Sequence, residues 1–301
     1  MLTKLFHYMR IAKNFPLVLL FTRIMLKIGI KNHFIKKLDF LNSPDTKRPT
    51  KSIEILLNHM KTAGLSINKL FKKIPNAVIL EVGCGKHLGL GMTSLNLGAK
   101  KFIGIDPYLD KKIIFDPEII EKYFKRSIKK NIEYFQNTQG LEKIKYYDDD
   151  SQVNELLSTC VIEQRGISNA MNFENIDICT SISCLEHILD FKTSCKVLSK
   201  ISNKNTLHIH VVNFSNHLSK EKPFHHLYEM SLSDFKRQWA NNINGLRVND
   251  MVNLFHEVGL KLRAIPLDVN ENLVPKNMHQ SWINNYDIKD LSVRTALITS
   301  L

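Results

Sequence analysis

From residue 77 onward, short apolar runs bounded by glycine and polar turns recur to the C-terminus. Ala77–Val82, Lys101–Ile105, Cys160–Arg165, Asp177–Ser183, Thr206–Val212, Leu260–Leu267 and Ser292–Ser300 have the length and continuity of buried strands. Between them Thr93–Leu97, closed by Gly98, Lys192–Ser202 and Val248–Gly259 carry helical spacing. Strands alternating with helices predict an α/β protein with a doubly wound, mostly parallel sheet and helices on both faces. The stretch 110–160 is longer than a usual connection. It holds a charged face over Lys111–Lys130 and the acidic run Asp148-Asp149-Asp150, and is expected to form a helical insertion near the cleft.

The first part of the chain reads differently. Residues 1–40 have the pattern of one or two basic amphipathic helices, broken near Phe15-Pro16, and residues 42–50 are rich in turn formers, as in a linker. A helical period returns over 51–72, with Ile53, Leu56, Leu57 and Met60 on one face. Two parts are therefore expected: a basic, apolar helical extension with its linker over 1–50, and one domain over 51–301 that contains the insertion.

At 301 residues the chain can bury a full core without covalent staples. Its five cysteines, Cys84, Cys160, Cys179, Cys184 and Cys195, form no C-x-x-C pair, and an odd count fits no disulfide framework. They read as reduced thiols, which places the protein in a cytosol. The formal net charge is +13, and residues 1–50 alone hold ten basic and two acidic side chains. Basic charge raises nucleic acid, anionic lipid or acidic substrates as partners. Nucleic acid is disfavoured, because no basic stripe with interleaved aromatics and no Asn/Asp-Pro-Pro-Tyr run is present.

The chemistry concentrates in Ile79-Leu80-Glu81-Val82-Gly83-Cys84-Gly85-Lys86-His87-Leu88-Gly89. A buried strand enters a turn whose glycines let a ligand approach the backbone. The spacing is G-x-G-x-x-x-G rather than the G-x-G-x-x-G of dinucleotide sites. Glu81 stands just before the first glycine, where it would repel a pyrophosphate and attract a cation. Asp106 ends the second strand, 23 positions after Gly83, where an acid can bond both hydroxyls of a ribose.

The stretch 79–106 resembles motif I and the following acidic strand of the class I S-adenosylmethionine-dependent methyltransferases, in their type 11-like branch. The run Asp177–His187, with its Leu185-Glu186-His187, resembles their fourth strand and the sequence after it, and Thr206–Val212 their fifth strand. The resemblance covers roughly residues 75–301. It implies a Rossmann-like seven-stranded sheet with an antiparallel last strand, and S-adenosyl-L-methionine as cofactor. It also implies cofactor contacts from Glu81, Gly83, Cys84, Gly85, Asp106, Asn169, Ala170 and Ser181. At Asn169-Ala170 many members have an Asp before the Ala, and here an amide would accept the adenine amino group instead.

Methyl transfer to a hydroxyl needs alignment and a proton acceptor. His187, His217 and His225 are the candidates, whereas His208 and His210 alternate on one strand and read as structural. No histidine–carboxylate spacing resembles a metal site, and the reaction class needs no metal. The segment from Asn213 to Arg247 is similar to the acceptor-side insertion of type 11-like enzymes, which points to a small molecule or a surface-glycan sugar as acceptor. Competing readings are a nucleic-acid methyltransferase, a non-catalytic scaffold and a nicotinamide oxidoreductase; intact Gly83, Gly85 and Asp106 weigh against the scaffold. In the N-terminal part, Arg23 and Lys27 interrupt the apolar run from Phe15 to Ile28, so a span of about 20 apolar residues is not expected. No cleavable signal is evident. Residues 1–40 are expected either to cap the cofactor cleft or to lie on an anionic membrane face, as a cytoplasmic enzyme peripheral to the inner membrane would require.

Overall fold

The computed structural model describes residues 17–27, 29, 32–138, 141, 152–169, 173, 175–239 and 242–301. The acidic run Asp148–Asp150, Ala170 and the break at Phe15-Pro16 lie outside them. Seven strands form one sheet: β1 (Val78–Val82), β2 (Lys101–Ile105), β3 (Cys160–Glu163), β4 (Ile178–Ile182), β5 (Leu207–Asn213), β6 (Arg263–Val269) and β7 (Val293–Thr299). Their order is β3-β2-β1-β4-β5-β7-β6. The first five are parallel, and β7 runs antiparallel between β5 and β6. This is the doubly wound sheet that the alternating pattern predicts, and its antiparallel last strand is the one the resemblance implies.

The period of two within each strand divides the core. Ile79, Phe102, Ile178 and Ile209 pack on one face with Leu56, Leu57 and Met60 of the helix Lys51–Thr62. Leu80, Ile103, Cys179 and Val212 pack on the other, against Phe191 and Leu198 of the helix Phe191–Ile201 and Met251 and Phe255 of the helix Val248–Glu257. Burial on both faces explains why these strands read as continuous apolar runs. The sixth strand begins three residues later than its apolar run, because its partner β7 ends at Thr299, opposite Arg263. It lies at the sheet edge, where Pro266 is tolerated and the register shifts on either side of Asp268.

The chain order reverses at β1, with β2 on one side and β4 on the other. Ligands of open α/β sheets bind at such a switch point, beyond the carboxyl ends of the strands. The glycine loop leaves β1 there.

The stretch after β2 is part of this core. Its helices, Lys111–Ile114, Pro117–Ile119 and Lys125–Asn137, are joined by a π-helical turn over Ile120–Phe124. They bury Ile113, Ile119, Phe124, Ile128 and Phe135 in the same cluster as Ile79 and Phe102. The described portion is therefore the crossover layer between β2 and β3, rather than an appendage.

The expected boundary at residue 50 likewise falls inside continuous packing. The helix His33–Leu41, capped by Asn32 accepting the Ile35 N–H at 2.8 Å, lays Phe40 into the main core at 1% exposure. The Phe40 ring meets His87 (4.2 Å between centroids), Tyr123 (5.1 Å) and Phe124 (6.2 Å). Lys86 Nζ donates to the Asp39 carbonyl at 2.8 Å, and Lys37 bridges Asp116 (3.0 Å) and Glu118 (2.6 Å). The segment grips the glycine loop from one side and the crossover from the other. Replacing Phe40 by Ala should cost about 3–5 kcal/mol of folding stability. Urea denaturation measures it; a loss under 1 kcal/mol would mean that the segment is only loosely attached.

Candidate active site

The turn after β1 is built around two buried acids. Gly83 has φ +75°, and a Cβ there would come within 2.2 Å of Cys184 Sγ, so no side chain fits between this turn and the loop after β4. Glu81 is 1% exposed, and its Oε2 accepts the Leu90 N–H at 2.7 Å. Gly89, at φ +44°, passes so close that a Cβ would lie 2.4 Å from Glu81 Oε1. Asp106 accepts from Gly85 N–H (2.9 Å) and Tyr108 N–H (2.7 Å), tying the glycine loop to the end of β2.

Burial raises Glu81 to about 8 against the Leu90 hydrogen bond, and the nearby charge of Asp106 adds to the rise. Burial also raises Asp106, opposed by the amides of Tyr108 and Gly85. Among the described residues neither acid is paired with a basic side chain. Two acids so perturbed at a switch point favour a cationic ligand, and perturbed groups of this kind concentrate at functional sites.

Above them opens a cleft of about 1480 Å³, larger than the ~300–1,000 Å³ of most ligand pockets, with room for two reactants. Glu81, Gly83, Cys84 and Gly85 line it, with Tyr108 after β2, Gln164 after β3 and Ser183 after β4. Arg23, Ile24 and Phe40 of the N-terminal helices form the opposite wall, so this segment covers the cleft.

The remaining expected cofactor contacts fare differently. Ser181 is fully buried inside the sheet, where its hydroxyl pairs with His210 Nδ1 at 2.9 Å, and it cannot meet a ligand. It lies inside β4, where the pairing with β5 sets it opposite His210; Ser183, just past the end of the strand and at φ +49°, lines the cleft instead. Asn169 is exposed on the turn Ile167–Asn169 and is not on the cleft wall, because Ile167 anchors that turn in the core. Gln164, which no motif marked, occupies the wall at the end of β3 and carries the amide that Asn169 was expected to supply.

The candidate bases separate into two groups. His187, after β4, and His217, after β5, face one another with ring centroids 4.9 Å apart. His217 Nε2 lies 3.9 Å from Glu186 Oε1, and His187 Nδ1 is 2.5 Å from the Asn242 carbonyl. Burial, with His187 nearby, lowers His217 to about 4, so its imidazole is neutral at physiological pH. His225 is engaged elsewhere, with Glu229 Oε1 at 3.0 Å. His208 and His210 are buried in a chain that runs from Ser202 through both rings to Ser181, as their structural reading required. The convergence of Glu186, His187 and His217 joins loops thirty residues apart, which sequence spacing alone does not reveal.

No family model matches this chain, and no curated protein matches it. Solved structures share the arrangement of sheet and helices at low identity. An S-adenosylmethionine-dependent methyltransferase from Mesorhizobium loti is 10% identical, with 77% of this chain and 95% of that one aligned at a TM-score of 0.39. A geranyl diphosphate methyltransferase in complex with SAM is 9% identical, with 89% and 90% aligned at a TM-score of 0.42. The sheet order, the antiparallel β7 and the glycine loop at the switch point define a Rossmann-like fold of the methyltransferase type. The case for function lies in the chain's own residues.

The acids set a pH dependence. With Glu81 raised to about 8, the folded chain keeps a proton that the unfolded chain loses above about 4.5. Stability from this group therefore falls as pH rises between those values. His87, lowered to about 4 by burial and the charge of Lys86, acts in the opposite sense, but only below about 6.5. Between pH 6.5 and 8 the carboxylates are left to act, and Glu186, also raised to about 8 by burial, has the same sign as Glu81. The denaturation midpoint should decline across this window, and Glu81→Gln should flatten the decline. An unchanged slope in the variant would remove Glu81 as its source.

Proposed function

We propose that this chain is an S-adenosylmethionine-dependent methyltransferase acting on a hydroxyl of a small molecule or a surface-glycan sugar. The observation that carries the reading is the pair of buried acids, Glu81 and Asp106, framing a glycine loop at the sheet's switch point. A sulfonium with a cationic amino group and a ribose suits this set; a pyrophosphate would meet two carboxylates. Gly83 and Gly85 give the backbone room for the cofactor, and Asp106 can share its lone pairs between the two amides and the ribose. Gln164 offers an amide to the adenine edge.

When bound, the cofactor supplies an activated methyl group, so the protein's part is alignment and proton management. The acceptor enters from the ends of β4 and β5, where His187 and the neutral imidazole of His217 meet its hydroxyl, and the N-terminal helices exclude water from above. His225, held by Glu229, is the least suited of the three candidates.

Calorimetric titration with S-adenosylmethionine tests the reading. Asp106→Ala should weaken binding by roughly 1.5–3 kcal/mol, the scale of a hydrogen bond to a charged group. A cation beside Glu81 also favours its ionised form, so binding near neutral pH should release protons. Titration in buffers of unequal ionisation heat reads this release, and Glu81→Gln should diminish it. No binding by the wild type would sink the proposal.

The N-terminal helices extend the reading to location. No helix of the described residues is long and apolar enough to cross a membrane. Phe21 and Phe34, which do not line the cleft, are 53% and 64% exposed on this basic segment. We assign this face to contact with an anionic membrane surface on the cytoplasmic side. The full chain should sediment with anionic but not neutral vesicles, and Phe21→Ser with Phe34→Ser should abolish this; equal sedimentation with both vesicle types would refute the assignment.

A further inference from the structure

The loops after β4 and β5 place a carboxylate oxygen of Glu186 and one ring nitrogen each of His187 and His217 within 4.8 Å of one another. Glu186 is 2% exposed. Among the described residues its Oε1 accepts a long hydrogen bond from Asn213 N–H, at 3.3 Å, and its buried Oε2 has no hydrogen-bond partner. Among the described residues no lysine or arginine pairs with it. A buried carboxylate in this condition calls for a cation. The two histidines complete the set at a cost to the backbone. His217 holds φ +56°, a conformation rare outside glycine, and that bend brings its ring against His187. Asn242, with its carbonyl 2.5 Å from His187 Nδ1, fixes the second ring.

We propose that Glu186, His187 and His217 bind a divalent transition-metal ion. Two imidazoles and one carboxylate suit Zn²⁺, Mn²⁺, Fe²⁺ or Co²⁺ rather than Ca²⁺ or Mg²⁺, which prefer oxygen ligands throughout. Three protein ligands leave coordination positions open, and His187 and His217 are both exposed. The site adjoins the cofactor cleft through the chain itself: Ser183 lines the cleft, and Cys184 packs on Gly83. An acceptor bearing a hydroxyl oxygen could complete the ion's coordination there. The expectation that no metal is involved rested on sequence spacing, which a site formed by two distant loops evades.

Metal binding is read directly on the full-length protein, without turnover. Chelator-treated protein is titrated with Zn²⁺ and Mn²⁺ by calorimetry, and with Co²⁺ by its visible absorption. One ion per chain is expected, and Glu186→Gln and His217→Ala should each lower the affinity by about a hundredfold or more. His187→Ala alters an exposed ring, so folding is not at stake; it should weaken binding and change the cobalt spectrum. Asp106→Ala should bind metal as the wild type does. Absence of stoichiometric binding by the wild type, or equal affinity in all three ligand variants, overturns the proposal. The outcome is independent of the methyltransferase reading: metal binding without cofactor binding would refute only that reading, and the converse would refute only this one.

Discussion

A buried carboxylate beneath a glycine loop is the constraint on which the rest of this structure depends. Glu81 cannot leave the core, because it sits on β1 between Leu80 and Val82, which pack into the opposite face of the sheet. Its lone pairs must be met locally, and the Leu90 amide meets them at 2.7 Å. That requirement bends the chain back over the carboxylate, and the bend is only open to glycine at position 89. The same turn forces Gly83 against Cys184, so the loop after β4 is seated by the loop after β1. The loops after β1 and β4 are thus one mechanical unit, in which Glu186 and His187 follow Cys184 by two and three residues.

Charge in the cleft is arranged in layers. Glu81 lines it from β1, and Asp106, buried, ties the glycine loop beside it. Above them the N-terminal segment brings Arg23, and Lys86 turns away from the acids to join Asp39 of that segment. Arg23 and Lys86 are both drawn to Asp39 of the cap rather than to Glu81 or Asp106. Burial lowers Lys86, and the charge of Asp39 opposes that shift, which ties this cation to its partner on the cap. His87, neutral between Phe40 and Thr46, makes the rest of the joint.

The segment that follows β5 rests on a separate small core. Phe224, Tyr228, Phe235 and Trp282 form it, and the rings of Tyr228 and Trp282 flank buried Arg247, whose guanidinium donates to the Phe214 carbonyl and the Tyr228 hydroxyl, both at 2.9 Å. It also lies 5.4 Å from the Phe214 ring centre. This cation pins the end of β5 and the start of the helix Val248–Glu257 to the aromatic cluster. The position of His217, three residues beyond Phe214, follows from that anchorage.

The sequence by itself determined the sheet and the cofactor loop. Strands buried on both faces must be continuous apolar runs, and glycines at positive φ must be glycine, so β1, β2, β4, β5 and the turn over Gly83–Gly89 were legible residue by residue. Asp106 was legible for the same reason: it stands at the end of a strand whose neighbour is known. What the tertiary structure decided lies where residues distant in sequence meet. Ser181 and Ser183 look alike in a motif, but Ser181 lies inside β4 opposite His210, whereas Ser183 stands past the strand's end at positive φ and lines the cleft. Gln164 carries no motif and reaches the wall because β3 ends beside β2. Residues 1–50 read as a helical extension with a linker over 42–50, apart from the domain, yet Phe40 and His87 close a core together across 47 positions. Glu186, His187 and His217 converge because two parallel strands end at one edge of the sheet. Local spacing encodes helices and strands; the meeting of two loops at a sheet edge is fixed only by strand order, and strand order is set by packing over the whole chain.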